Sequence, residues 1–474
     1  MLRDGDDLRI DLPAFVARVL GELAAAGHEA ALVGGCVRDL VRGEASTDWD
    51  VATSAPPETV QAIFPGSVWE NAFGTVTVMP DDGAPPVEVT TYRIEGPYRD
   101  RRRPTSVSWA GSLEEDLARR DFTVNAMAWR PLDLAAGLGR LVDPHGGTRD
   151  LAAGELRAVG DPEQRIAEDA LRMVRALRFA TRLELRLDDA TAAAIRRHAA
   201  AAAGLSGERV RAELLRILSG SAPPSTALAR MEELGLLAAL LPELAALRGV
   251  PQAKALAGDA LDHSLRTVDA LPPEDPVLRL AGLLHDLGKA STLADGHFIG
   301  HEREGAGLAA GVMRRLRFGR AEIARVQRLV RQHMFAYSPE WTDAAVRRFV
   351  RRVGPDLLED LYALRRADDI ASGVVEPTMG GLDELRRRAL AVVSSDPIGQ
   401  RQLAVDGNDL VAELGLQPGP IVGRLLTELL EAVIDDPALN RRDLLLERAR
   451  RAAAIAPAGA RMQRQPPGDV EEAD

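Results

Sequence analysis

Cysteine is all but missing: Cys36 is the only one in 474 residues. No internal disulfide can form, which excludes a disulfide-stapled secreted scaffold and fits a reducing compartment, so the chain is expected in the cytoplasm. Long apolar runs are missing too. No uninterrupted stretch approaches the roughly 20 residues of a membrane span, and the opening MLRDGDDLRIDLP is acidic and lacks the apolar centre of a signal peptide. Aromatic residues make up only 4%, against 46% hydrophobic and 27% charged residues. With Ala, Leu and Arg abundant, that balance points to a mostly helical globular protein. A positive excess is absent as well. The formal charge of −12 argues against non-specific coating of nucleic acid, which needs local cation density. It leaves room for a basic groove: Arg99, Arg101, Arg102 and Arg103 cluster, and Arg172, Arg175, Arg178 and Arg182 recur at helical spacing.

Length alone gives a soft prior of roughly three domains, and the patterning changes along the chain. An amphipathic helix is expected over 11–26, then strands at 30–34, 49–53, 74–79 and 87–92, the last two forming a hairpin around PDDGAPP. This is a small mixed sheet with helices, ending near residue 145. After Gly160 the pattern turns helical, with helices expected over 163–182, 188–203, 206–219 and 225–240. The expected fold class is therefore α+β: a mixed-sheet unit over 1–150, all-α units over 151–254 and 255–398, a helical tail over 399–455, and a disordered end over 456–474.

The densest chemistry lies in LVGGCVRDLVRGEASTDWD, residues 32–50. Ala31, Leu32 and Val33 read as a short buried strand. Gly34 and Gly35 then remove the side chains that would keep a polyphosphate from backbone N–H groups, and Arg38 adds a charge. On the returning segment Asp48 and Asp50 lie at i and i+2, which in a strand puts both carboxylates on one face. Two oxygen ligands side by side suit Mg²⁺ held jointly with substrate phosphates, the arrangement that serves in-line displacement at phosphorus. The motif therefore points to nucleotidyl transfer. Glu88, in a strand of the same sheet, could bring a third carboxylate. In LEEDLARRDFTVNAMAW, Arg119, Arg120 and Asp121 precede an apolar stretch, and arginine's fork pairs bidentately with phosphate.

A second signal is RIAEDALRMVRALRF, where Asp169 and Arg172 stand at i and i+3 with Arg175 a turn further. An acceptor beside a donor matches the amino group and ring nitrogen that cytosine and adenine present, while uracil and guanine present the reverse. The plain alternative is an intrahelical ion pair worth only about 0.3–0.5 kcal/mol.

Together these motifs resemble the class II tRNA nucleotidyltransferases, which include bacterial CCA-adding enzymes and their poly(A) polymerase relatives. The resemblance covers nearly the whole chain. LVGGCVRD with DWD is similar to the family's metal and triphosphate motif, RRDFTVNAMA to its second motif, and EDALRMVRALRF to its base-selecting helix. It implies a nucleotidyltransferase head, neck, body and tail. It also implies Mg²⁺ on Asp48 and Asp50, nucleotide contacts from Gly35, Arg38, Arg120, Asp121, Arg172 and Arg175, and base selection by Glu168 or Asp169 with Arg172. CTP, ATP and the acceptor end and elbow of tRNA would be the partners, with no membrane; the oligomeric state stays open. YRIEGPYRDRRRP resembles the flexible loop of CCA- and A-adding members, which makes CC-only addition the weaker reading. An A-adding enzyme or poly(A) polymerase keeps the same transfer site and is the nearest alternative.

In the later helical block, His263, the adjacent His285 and Asp286 in AGLLHDLGKAS, and Asp368 have the residue types and order of an HD-domain metal site, with His301 and His333 able to complete a second ion. Imidazole with carboxylate suits a transition metal that activates water on a phosphoester. By resemblance, several bacterial tRNA nucleotidyltransferases carry such a domain, so a metal-dependent phosphohydrolase is the alternative of another class. A non-catalytic RNA-binding protein would leave both acidic sites unexplained.

Overall fold

The computed structural model describes residues 2–69, 74–80, 83, 85–95, 107–109, 111–252, 254–374 and 380–455. The chain packs as two compact units, one of residues 1–250 with 272–279 and 311–319, the other of the remaining residues from 251 onward. Most of the arginine-rich segment 92–104, with Arg99, Arg101, Arg102 and Arg103, and the terminal 456–474 lie outside the described residues.

The first unit holds a mixed sheet of eight strands: β1 (Asp7–Arg9), β2 (Ala30–Val33), β3 (Trp49–Thr53), β4 (Val68–Trp69), β5 (Thr75–Val78), β6 (Val87–Thr91), and, after the ribbon β7 (Arg93–Glu95) with β8 (Val107–Trp109), β9 (Ala128–Asp133) and β10 (Leu138–Val142). Their order is β1-β10-β9-β2-β3-β6-β5-β4. Only β3 and β6 run parallel; the other neighbours are antiparallel. β2 is central, and all four residues of its AALV are buried, as expected for a strand covered on both faces. β5 and β6 form the expected hairpin. Along β6, Val87, Val89 and Thr91 are buried while Glu88 is exposed, so the pleat sends Glu88 to the open face. Glu88 stands in register with Asp50 of β3.

Trp129 of β9 anchors the core. It is fully buried, its Nε1 donates to the Leu8 carbonyl at 2.9 Å, and a Cβ on Gly139 of β10 would fall inside the indole. Gly139→Ala is expected to cost at least about 1–3 kcal/mol, the range for overpacking a filled core. An unchanged urea midpoint would refute that account.

Beyond the sheet, helices follow one another as expected, with two corrections. The helix expected over 163–182 is two, Pro162–Glu168 and Leu171–Arg182. Asp169 between them is extended, at φ −143° and ψ 107°, and its Oδ1 accepts the Leu171 N–H at 3.0 Å. Aspartate competes with helical hydrogen bonding in this way, which favours a break over a continuous helix. The helix expected over 225–240 breaks at Gly235, whose φ of +83° starts a new helix at Leu236.

In the second unit, helix Ala260–Asp269 packs against Leu358–Ala371. Val405, Leu410, Leu425, Leu429, Val433 and Leu445 belong to a separate apolar core that joins the last three helices. No helix among the described residues is long and apolar enough to cross a membrane.

Candidate active site

At the end of β2 the chain turns at Gly34, with φ +77°, into the short helix Gly35–Val41. That backbone angle strains any residue with a side chain, and a Cβ on Gly34 would lie 2.9 Å from an Arg120 guanidinium nitrogen, which would have to move, and 3.5 Å from Asp50 Oδ2. The bare backbone thus stands between a cation and an anion. Arg38 is buried and held by two acceptors, Asn125 Oδ1 at 2.6 Å and Asp39 Oδ1 at 2.8 Å. Asp50 lies within β3, but Asp48 sits just ahead of the strand and is exposed. The strand thus carries Asp50 alone, where the spacing predicts both within it; both line one cavity. Burial raises the Asp50 pKa above the usual carboxylate range and the charge of Asp48 adds to it, against the pull of Arg120. Such a carboxylate pair gains from a bound cation. Cys36 beside them is inert: burial pushes its thiol up to about 12.

The cavity, of about 980 Å³, is lined by Gly34, Gly35, Arg38, Asp48, Asp50, Glu88, Arg120, Asp121, Asp169, Arg172 and Arg175 among others. Eleven arginines and seven carboxylates face it, so a polyanion finds local positive charge in a chain that is acidic as a whole. Buried acids orient this wall. Asp116, 1% exposed, takes Arg119 on Oδ1 (2.5 Å) and Arg120 on Oδ2 (3.1 Å). Burial would raise its pKa, but the two guanidiniums bring it below the ordinary value. Asp121 accepts from Arg175 Nε at 2.8 Å and from the Phe122 N–H at 2.9 Å. Burial again opposes its charge, and Arg175 overcomes that and lowers its pKa.

Asp169 is bound by Arg209 through two bonds of 3.1 and 2.6 Å. Glu168 is absent from the cavity lining; its Oε2 accepts from Arg165 at 2.9 Å and Arg172 at 2.5 Å. Arg172 also donates to the Arg165 and Arg119 carbonyls. Arg93, Arg178 and Arg209 line the cavity without having been singled out as site residues. Arg178 continues the three-residue spacing of Arg172 and Arg175 and was within reach of that signal. Arg209 lies 40 residues from Asp169, with no local pattern to flag it.

In the second unit the six residues of the histidine–aspartate pattern converge. His263, His285 and Asp286 form one candidate cation group, and Asp286, His301 and His333 another. Asp286 Oδ2 lies 3.7 Å from His263 Nε2 and 3.2 Å from His285 Nε2, while Oδ1 lies 3.5 Å from His301 Nε2 and 3.8 Å from His333 Nε2. Asp368 Oδ1 is 3.0 Å from His263 Nε2. Three imidazoles are anchored through Nδ1 on the carbonyl three residues earlier: His285 on Gly282, His301 on Phe298 and His333 on Val330. That anchoring orients the rings and turns Nε2 inward, where it can ligate a metal. Nε2 of His285 and of His301 finds no hydrogen-bond partner among the described residues, and burial brings the His333 pKa down to about 3. Imidazoles aimed at a shared carboxylate fit a divalent transition metal. Lys254 reaches Asp368 at 3.0 Å and Lys289 reaches Asp286 at 2.6 Å.

Family models match three parts of the chain. Residues 30–157 match the poly A polymerase head domain, residues 184–247 the probable RNA- and SrmB-binding site of polymerase A, and residues 307–449 a putative second domain of tRNA nucleotidyltransferase. The A-adding tRNA nucleotidyltransferase of Deinococcus radiodurans is 36% identical over 421 residues, covering 85% of this chain and 91% of that protein. The CCA-adding enzyme of Lactiplantibacillus plantarum is 33% identical over 437 residues, covering 92% and 95%. Among solved structures, the Bacillus stearothermophilus CCA-adding enzyme in complex with CTP aligns with a TM-score of 0.68 at 29% identity, over 93% of this chain and 98% of that one.

Proposed function

The chain belongs to the tRNA nucleotidyltransferase and poly(A) polymerase family, and we propose that it adds CCA to the 3′ end of tRNA from CTP and ATP, releasing pyrophosphate. One observation carries this reading: bare glycine backbone, a carboxylate pair, an arginine wall and the Asp169–Arg172 pair share a single cavity.

In this reading the triphosphate lies along the N–H groups after Gly34 and against Arg38, Arg120 and Arg175. Mg²⁺, carried by Asp48 and Asp50, supplies Lewis-acid charge at the phosphates when bound. The tRNA 3′ hydroxyl oxygen forms a bond to the α-phosphorus and gives up its proton toward Glu88 as the bond to the bridging oxygen of pyrophosphate breaks. Glu88, in register with Asp50, offers a third carboxylate on the side where the hydroxyl enters. Asp169 accepts from the exocyclic amino group of C or A and Arg172 donates to the adjacent ring nitrogen; U and G would oppose donor to donor and acceptor to acceptor. Asp121 and Glu168 act one step back, holding Arg175 and Arg172. The acceptor end and elbow of tRNA would run over the helical portions, in the cytoplasm where tRNA is matured.

The Deinococcus relative favours a second reading, A-addition alone. Products decide. Incubated with tRNA lacking its last three nucleotides, CTP and ATP together should restore CCA. Extension only of tRNA ending in CC, by ATP, assigns A-addition; long A tracts assign a poly(A) polymerase; no extension of any tRNA refutes the transfer reading.

The histidine–aspartate cluster supports an additional phosphohydrolase activity, with His263, His285, Asp286 and Asp368 as metal ligands and His301 and His333 toward a second ion. Asp286→Ala is expected to abolish stoichiometric Mn²⁺ or Ni²⁺ binding and hydrolysis of bis-p-nitrophenyl phosphate while CCA addition persists. Wild-type protein that retains no metal after dialysis would refute the centre.

A further inference from the structure

We propose that Arg209, on the helix Gly207–Leu218, sets the base selectivity of the site by fixing the plane of the Asp169 carboxylate. It is a positioning residue, acting through Asp169. This rests on Asp169 and Arg172 reading the base.

Asp169 needs such a support because the backbone gives it a single bond, from the Leu171 N–H to Oδ1. It occupies the break between two helices, in an extended conformation, so no helical neighbour restrains its side chain. Its orientation comes from three hydrogen bonds: Oδ1 accepts from the Leu171 N–H at 3.0 Å and from Arg209 at 3.1 Å, and Oδ2 accepts from Arg209 at 2.6 Å. A carboxylate has about four acceptor directions. Among the described residues three are taken, leaving one, on Oδ2. The parallel pair of bonds from a planar guanidinium fixes rotation as well as position, which an ammonium cannot do.

A single acceptor direction is what discrimination requires. Arg172 is tied separately, to Glu168 and to the Arg165 and Arg119 carbonyls, so acceptor and donor are held by different anchors. A carboxylate free to swing could accept the ring N–H of uracil, and the order of acceptor and donor would no longer exclude it. The same helix carries Glu213 four residues on, which holds Arg178 Nε at 2.6 Å and lies 3.8 Å from Arg175. One face of one helix therefore orients both the selecting carboxylate and two arginines of the wall.

The test compares kcat/KM for CTP against UTP, and for ATP against GTP, in Arg209→Lys, Arg209→Gln, Glu213→Gln and Asp169→Ala. A ratio cancels any partial loss of folded enzyme. Both Arg209 variants should lower the CTP:UTP ratio by about tenfold or more, the scale of losing an oriented hydrogen-bond acceptor, and lysine should not rescue it. Glu213→Gln should lower all four values alike and keep the ratio. Arg209 variants that hold the ratio within twofold while Asp169→Ala loses it would overturn the role of Arg209. An Asp169→Ala enzyme that keeps the ratio would overturn the base-reading assignment and this proposal with it.

Discussion

Asp50→Ala is expected to slow nucleotide addition by about 10³-fold or more, the loss of several kcal/mol of charge stabilisation at the reacting phosphate, with tRNA still bound. The same change should leave the melting temperature unchanged or raise it. Burial and the neighbouring Asp48 raise the Asp50 pKa above the usual carboxylate range, so its charged form is held at a cost in the folded state. For a carboxylate with a raised folded pKa that cost applies at neutral pH and disappears as pH falls below the unfolded value. Removing the group therefore relieves a penalty, and Arg120 keeps Asp116 as a partner at 3.1 Å. Single-turnover extension of truncated tRNA, paired with thermal unfolding at pH 7, measures both effects. Activity within tenfold of wild type would remove Asp50 from the metal site. A large fall in melting temperature would show that Asp50 is structural.

Glu213→Ala is expected to cost about 3–5 kcal/mol of folding stability, the range for breaking a buried pair and stranding its partner. Glu213 is 1% exposed and Arg178 7% exposed, with 2.6 Å between Nε and Oε2. Arg175 would retain Asp121 at 2.7 Å; Arg178 would lose the one carboxylate it pairs with among the described residues. Nucleotide affinity should fall as well, because both arginines line the cavity. Urea unfolding monitored by circular dichroism gives the stability change, and a loss under about 1 kcal/mol would mean that water reaches Arg178 and solvates it.

The parts of the site that neighbours in sequence can build were legible from the chain itself. Gly34, Gly35 and Arg38 follow a buried strand directly, whereas Glu88 comes beside Asp50 only through the register of β3 with β6. The HD pattern likewise named the six residues that converge around Asp286. Helical spacing misled where a side chain competes with the backbone. Asp169 and Arg172 were expected on one helical face, yet Asp169 accepts the Leu171 N–H and breaks the helix. That break separates it from Glu168: one lines the cavity, and the other holds Arg172 from behind.

By itself the sequence determined the α+β organisation, the family and the motif residues that line the cavity, because strand period, glycine turns and short motifs are local and act within a few residues. Tertiary structure alone decided which charges hold one another in place around the cavity: Asp121 with Arg175, Glu213 with Arg178, Arg209 with Asp169. Several of these pairs join distant parts of the chain, and a buried ion pair depends on the distance and desolvation of two groups in space, which no spacing along the chain encodes.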